Sequence, residues 1–125
     1  MRSDRLLDYS AVLDEAVLRR GFGEPVVMRS QLAHLVELTL TRTTMVQVLP
    51  FEHGRHALGG GLLSLKTLDN GARVAHEESI TTGTLMEDME SVVEHQRAYN
   101  RVRACALSPH DSAAFIRSVM EALPT

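Results

Sequence analysis

The chain has 125 residues, which fits a single domain of the usual ~100–150 residues, and we expect one domain over residues 1–125. Hydrophobic residues make up 44% and charged residues 23%, an ordinary globular composition that argues against disorder. The single cysteine, Cys105, excludes an internal disulfide framework and a cysteine-based zinc site. The formal net charge of −3 lacks the basic excess of a domain that holds nucleic acid by itself.

Membrane and export signals are missing from the sequence. No apolar run approaches the ~18–20 residues of a membrane helix. The N-terminus carries Arg2, Asp4 and Arg5 in place of the apolar core of a signal peptide. We therefore predict a cytoplasmic protein that does not contact membranes.

The first half of the chain alternates strand and helix patterns. Tyr9–Leu13 is typical of a strand, and Asp14–Leu18 has the propensity of a short helix. Pro25 suits the first position of a helix over residues 25–40, in which apolar residues recur at spacings of three and four. The β-branched run before Pro50 predicts a strand over residues 43–49.

The middle of the chain is rich in strand and turn patterns. A glycine-rich loop is expected over residues 50–61, followed by strands at 61–68, 72–78 and 80–86. Asn70-Gly71 stands between the first two of these strands. This dipeptide is typical of a type I′ hairpin turn, because it accepts positive φ angles.

Two helices are predicted at the end of the chain. Asp88 caps the first, and its core-facing side is predicted to hold Met89, Val92, Val93, Gln96, Tyr99, Val102 and Ala106. Ser108 caps the second, with Pro109 at its first position. The whole order predicts an α+β fold: a small antiparallel sheet with an N-terminal helix and two C-terminal helices packed on it.

Histidines and acidic residues are the candidates for chemistry. His53, His56, His76 and Glu77 contain ligand types for a divalent metal, but no helix aligns them, so polar loop and strand-edge residues are the favoured interpretation. The glycine triplet at 59–61 lacks the Lys-Ser/Thr of a phosphate-binding loop. We accordingly predict no metal and no cofactor.

Several segments, in order, resemble the uncharacterised C-terminal domain of actinobacterial Xre-type helix-turn-helix regulators, which are antitoxin-like proteins. They are VLDEAVLRR at 12–20, VMRSQLAHLVEL at 27–38, MVQVLPF at 45–51, HALGGGLLSL at 56–65 and YNRVRACALSPHDSAAFIRSV at 99–119. The resemblance covers nearly the whole chain from Val12 onward. In the family a helix-turn-helix precedes this region, and we expect this protein to act without it; residues 72–86 also depart from the family's more apolar strand pair.

Two functions follow from this resemblance. The first is a regulatory module that binds a small-molecule ligand or a small partner protein, without binding nucleic acid directly. The alternative is a small stand-alone enzyme that evolved from such a domain and uses His/Glu acid–base chemistry on a small substrate. We also expect a homodimer, because a small sheet has edge strands that need cover.

A pocket in this fold is predicted to draw its polar wall from Glu15, His56, His76 and Glu77. The hairpin brings the ends that carry the two histidines to one edge of the sheet. Glu77 points away from His76 and Glu78 by strand alternation, onto what we expect to be the less crowded face. Glu15 joins this set by the resemblance alone, and the alternative for it is an ion pair with Arg19, four residues on.

Overall fold

The computed structural model describes residues 6–20, 24–39, 41–52, 61–79 and 83–124. The strands are β1 (Leu6–Asp14), β2 (Thr44–Leu49), β3 (Leu62–Leu68), β4 (Arg73–Glu78) and β5 (Gly83–Met86). The helices are α1 (Glu15–Arg19), α2 (Pro25–Thr39), α3 (Met89–Cys105) and α4 (Pro109–Glu121). Each of these elements lies where the sequence predicts one, to within a few residues at its ends.

The five strands form one mixed sheet in the order β2-β1-β3-β4-β5. The α+β class is confirmed. The expectation of a wholly antiparallel sheet is wrong at one pairing, since β1 and β2 run parallel while the other three pairings are antiparallel. Parallel neighbours need a long crossover, and the segment that carries α1 and α2 supplies it.

Helices pack on both faces of the sheet, because side chains alternate along each strand. On one face, α1, α2 and α4 cover β1 and β2, and the buried core there contains Ala11, Leu13, Leu18, Met28, Leu32, Val36, Val46, Val48, Ala113, Ile116 and Val119. On the other face, which we call the α3 face, α3 lies against two smaller clusters. They contain Val12, Leu49, Leu63, Tyr99 and Val102, and Leu65, Ala75 and Val92.

The turn between β3 and β4 lies at the predicted place but has a different type. A type I′ turn needs positive φ at both central residues, yet Gly71 has φ of 90° and Asn70 does not have a positive φ. The carbonyl of Leu68 accepts from the N–H of Gly71, and the N–H of Leu68 donates to the carbonyl of Ala72, both at 2.9 Å. The loop is therefore the three-residue form that ends in a left-handed glycine.

The predicted helix caps are confirmed. Asp88 accepts from the backbone N–H of Ser91 at 2.9 Å, and Ser108 accepts from that of Asp111 at 3.0 Å. Hydrogen bonding to Ser91 lowers the pKa of the Asp88 carboxyl.

Among the residues that the structure describes, no helix combines the length and the apolar composition that a membrane span requires.

The buried side of α3 differs from the predicted one. Met89 and Val93 were expected to face the core, but they are 82% and 47% exposed. His95, which the prediction left out, is buried in their place, together with Val92, Tyr99 and Val102. The sheet therefore contacts a stripe rotated slightly around the helix from the most apolar one.

Candidate functional site

Glu15 is held in the structure by two partners. Its Oε2 accepts from Nε of Arg19 at 2.6 Å, and its Oε1 accepts from the backbone N–H of Phe51 at 3.0 Å. The residue is buried at the first position of α1. Glu15 thereby connects the start of α1 to the segment that follows β2. The ion pair with Arg19, which was the alternative expected for Glu15, is present, and the Phe51 N–H adds a second contact.

The two histidines of the predicted pocket give different outcomes. His56 lies outside the described residues. His76 is half-buried on the sheet face opposite α3, where it lines a shallow pocket of about 270 Å³ with Tyr9, Ser64, Lys66, Val74 and Leu85. Its pocket contains one basic side chain and a serine hydroxyl.

Glu77 lies on the α3 face, directed away from His76 as the alternation predicts. That face is not the less crowded one at this point, because Ala75, two residues earlier, is fully buried beneath α3. The Glu77 carboxylate lies 3.5 Å from Nδ1 of His95, measured from Oε1. It is half exposed, whereas the His95 side chain is completely buried.

The described members of the predicted set do not line one pocket. Glu15 is engaged at the junction of β1 and α1, His76 faces one side of the sheet, and Glu77 faces the other. A ligand-binding role for these residues stays a prediction. The structure pairs Glu77 with a histidine that lies 18 positions further along the chain.

His95 is the residue that the sequence analysis missed. It lies three positions after Val92 and four before Tyr99, which is the spacing of one helical face. A histidine within an otherwise apolar stripe was the available sign. The spacing used for the prediction favours Met89 and Val93 instead, and it puts Gln96 rather than His95 on the core-facing side.

The His95 ring is fixed by a backbone contact on β3. Its Nε2 lies 3.0 Å from the carbonyl oxygen of Ser64. A carbonyl only accepts hydrogen bonds, so the proton of this contact resides on Nε2. The Tyr99 ring packs beside the imidazole, with 6.4 Å between ring centroids.

Three polar atoms beneath α3 are buried without a hydrogen-bond partner in the described part of the chain. They are Nδ1 of His95, the hydroxyl of Tyr99 and Oε1 of Gln47. Burial raises the pKa of the Tyr99 phenol, and the nearby Ser10 and Arg103 side chains oppose this shift in part. Buried polar groups normally find partners, so these three atoms are exceptional within the described interior of the protein.

A larger depression lies at the start of α3. It has a volume of about 570 Å³, and we call it the α3 groove. It is lined by Leu68, Asn70, Ala72, Arg73, Val74, Glu87, Met89, Val92 and Val93. Met89 and Val93 also line an adjoining depression on the outer side of α3, together with Glu90, Glu94 and Arg97. The two depressions form one apolar surface with charged borders.

One family model matches this sequence, over residues 1–118, and it is described as a domain of unknown function, DUF5753. No curated protein and no solved structure matches the chain significantly.

Proposed function

The chain belongs to the DUF5753 family, and from the surface it presents we propose that it is a regulatory binding module that docks a small partner protein in the α3 groove. The resemblance of its sequence segments to the C-terminal domain of actinobacterial Xre-type regulators supports a regulatory role. The module acts in the cytoplasm through association.

The observation that carries this proposal is the exposure of two large apolar side chains on α3. Met89 is 82% exposed and Val93 is 47% exposed, and both border the α3 groove. Most of the neighbouring α3 positions that point outward are charged. Apolar residues concentrated beside a groove and rimmed by polar residues are typical of protein interaction sites.

The form of the surface favours a protein over a small molecule as the ligand. Small-molecule sites are concave and bury most of the ligand surface, whereas Met89 and Val93 stand between two depressions that open side by side. A methionine at such a position adapts its shape to an incoming apolar side chain. The border carries both acidic side chains (Glu87, Glu90 and Glu94) and basic ones (Arg73 and Arg97), which favours a partner with charges of both signs around its apolar anchors.

The enzyme alternative has less support. Acid–base catalysis needs the acid and the base within hydrogen-bond reach of one substrate. Glu15 already accepts two hydrogen bonds, and His76 and Glu77 lie on opposite faces of the sheet. We therefore favour the binding module, and we retain the homodimer as part of the proposal.

The test uses the small proteins encoded by the genes that flank this one. Each is purified and titrated against the chain by calorimetry. For a partner that binds, Met89→Glu and Val93→Glu are expected to weaken binding by about tenfold or more, because each places a charge in a desolvated contact.

Val26→Glu is the matched control. Val26 is 72% exposed on α2, so the same type of change is made at an apolar surface position away from the groove. The affinity of the Val26→Glu variant for the partner is expected to stay within about twofold of the wild-type affinity. Binding that survives both α3 variants, or that Val26→Glu weakens equally, contradicts docking in the groove.

A further inference from the structure

The pocket on the sheet face opposite α3 has features that the groove proposal does not use. It lies over β3, β4 and β5, beside the part of this face that the helices cover. It has a volume of about 270 Å³ and is lined by Tyr9, Ser64, Lys66, Val74, His76 and Leu85. No acidic residue lines it, although 16 residues of the chain are Asp or Glu.

The register of the strands brings these side chains together in two neighbouring rows across the sheet. Tyr9, Lys66 and Val74 form one row, and Ser64, His76 and Leu85 form the other. Lys66 and His76 are therefore diagonal neighbours on β3 and β4, and such neighbours lie ~7–8 Å apart. At this separation, one small anion can accept hydrogen bonds from both side chains.

The basic groups of this pocket are accessible and free. Lys66 is exposed, and His76 is half-buried. In the part of the chain that the structure describes, neither side chain has a hydrogen-bond or ion-pair partner. An ammonium only donates hydrogen bonds, and an imidazole presents at least one N–H in either of its charge states. Both groups are therefore available as donors to a ligand in the pocket.

We infer that this pocket binds a small organic carboxylate. One carboxylate oxygen accepts from the Lys66 ammonium, the other accepts from the His76 ring, and a short apolar tail lies against Leu85. Leu85 is 59% exposed, so a tail that covers it removes apolar surface from water. Charge-assisted hydrogen bonds are about twice as strong as neutral ones. The inference does not depend on a partner occupying the α3 groove.

Other ligand classes fit the pocket less well. A cation is repelled by Lys66, and an apolar ligand leaves the Lys66 ammonium desolvated without a partner. Phosphate groups are typically held at a helix N-terminus or by bidentate arginines, and neither lines this pocket. The volume is below the ~300 Å³ at which ordinary ligand pockets begin, so a compact ligand is expected.

The experiment uses Lys66 as a single reporter, because it is the only lysine in the sequence. The full chain is labelled with ¹³C-lysine, and the Cε resonance is followed by NMR while butyrate is added at constant ionic strength. n-Butylammonium and n-butanol are the cationic and neutral comparisons of the same length. Butyrate is expected to shift the Lys66 resonance saturably, whereas the comparison molecules leave it unchanged.

Lys66→Gln and Arg101→Gln form a matched pair of variants. Each removes one positive charge from an exposed side chain, but Arg101 lies on α3 and does not line the pocket. Binding to these variants is followed at the ¹⁵N-labelled ring of His76. Lys66→Gln is expected to weaken butyrate binding by about tenfold, the effect of one charge-assisted hydrogen bond, and Arg101→Gln by less than about twofold. Equal losses in the two variants, or no saturable shift with butyrate, overturn the inference.

A second arm tests the class of the anion with acetate and inorganic phosphate. Butyrate is expected to bind at least about threefold more tightly than acetate, because its two additional methylene groups reach Leu85. Leu85→Asn should abolish this difference. Tighter binding of phosphate than of butyrate contradicts the carboxylate assignment. Failure of all three titrations removes this site while leaving the test of the α3 groove unaffected.

Discussion

The hydroxyl of Ser112 on α4 accepts a hydrogen bond of 2.8 Å from the backbone N–H of Val48 on β2, 64 residues earlier in the chain. The carbonyl of Val48 in turn accepts from the N–H of Leu107 at 2.9 Å. β2 is an edge strand, and Val48, the fifth of its six residues, has its N–H paired with α4 and its carbonyl paired with the segment that precedes α4. This end of the edge is therefore protected against pairing with another chain.

Ser112→Ala is expected to lower the free energy of unfolding by about 1–3 kcal/mol, because the N–H of Val48 loses its partner in a fully buried position. Urea denaturation followed by circular dichroism measures this change. Ser118→Ala, at an exposed position on the same helix, serves as the control and should stay within about 0.5 kcal/mol of wild type. Equal effects of the two substitutions would contradict the edge-closing role.

Glu15→Ala tests whether Glu15 holds the fold together. We expect a loss of about 1–3 kcal/mol in the free energy of unfolding, since the Phe51 N–H and the Arg19 guanidinium both lose their acceptor. Glu37→Ala is the comparison, because the Glu37 side chain is 81% exposed on α2. If chemical denaturation gives the same stability for both variants, Glu15 is not a structural anchor.

Gly71→Val tests the hairpin turn. A Cβ at this position meets no atom within 4 Å, so any cost comes from the backbone, whose φ of 90° a β-branched residue resists. We expect a loss of about 1–2 kcal/mol. Gly71→Asn should lose less, since asparagine enters the left-handed region more readily. The prediction fails if thermal unfolding ranks the valine variant at or above the asparagine variant.

Tyr99 predicts a loss of stability at alkaline pH. Burial raises the pKa of its phenol above the ordinary value of 10.0, so the unfolded chain releases this proton first. The stability that the protonated Tyr99 phenol contributes to the folded protein is fully present below pH 10. It is lost as the pH rises through the pKa of Tyr99 in the folded state. Tyr99→Phe should flatten the decline of the urea midpoint between pH 9 and pH 11, while Tyr9→Phe should retain it. A decline of equal steepness in both variants would remove Tyr99 as its cause.

The protection of β2 leaves β5 as the strand at the other end of the sheet. We expect the homodimer to form there, with a light-scattering mass about twice 13.8 kDa at tens of micromolar protein. Successive residues of an antiparallel strand direct their N–H groups to opposite sides. One of the two variants Thr84→Pro and Leu85→Pro therefore removes an N–H that faces away from β4. That variant should be monomeric but folded. A wild-type mass of 13.8 kDa contradicts the dimer.

Local features of the fold were predictable from neighbouring residues. The caps at Asp88 and Ser108 depend on contacts within three residues, and the turn at Gly71 depends on the φ angle of one glycine. Such interactions are encoded within a few positions of the chain. The order of the elements followed from them, and with it the α+β class.

The candidate site was less predictable, because its partners are distant in sequence. Glu77 was selected from its strand, but its neighbour His95 lies on a helix that begins 12 residues later, and the Ser64 carbonyl that orients His95 lies on another strand. No pattern within either segment specifies which helix stripe contacts the sheet. For the same reason, the sequence pattern predicts Met89 and Val93 as core residues, whereas the structure exposes both.

The sequence by itself determined where strands, helices, caps and the hairpin lie, since each depends on local backbone preferences and hydrophobic period. Only the tertiary structure decided that β1 and β2 run parallel, that Ser112 closes the edge at Val48, and that His95 lies buried beside Glu77. These relationships come from packing two helical layers against one sheet. The residues that make these contacts lie up to 64 positions apart in the chain, so no single segment of the sequence specifies them.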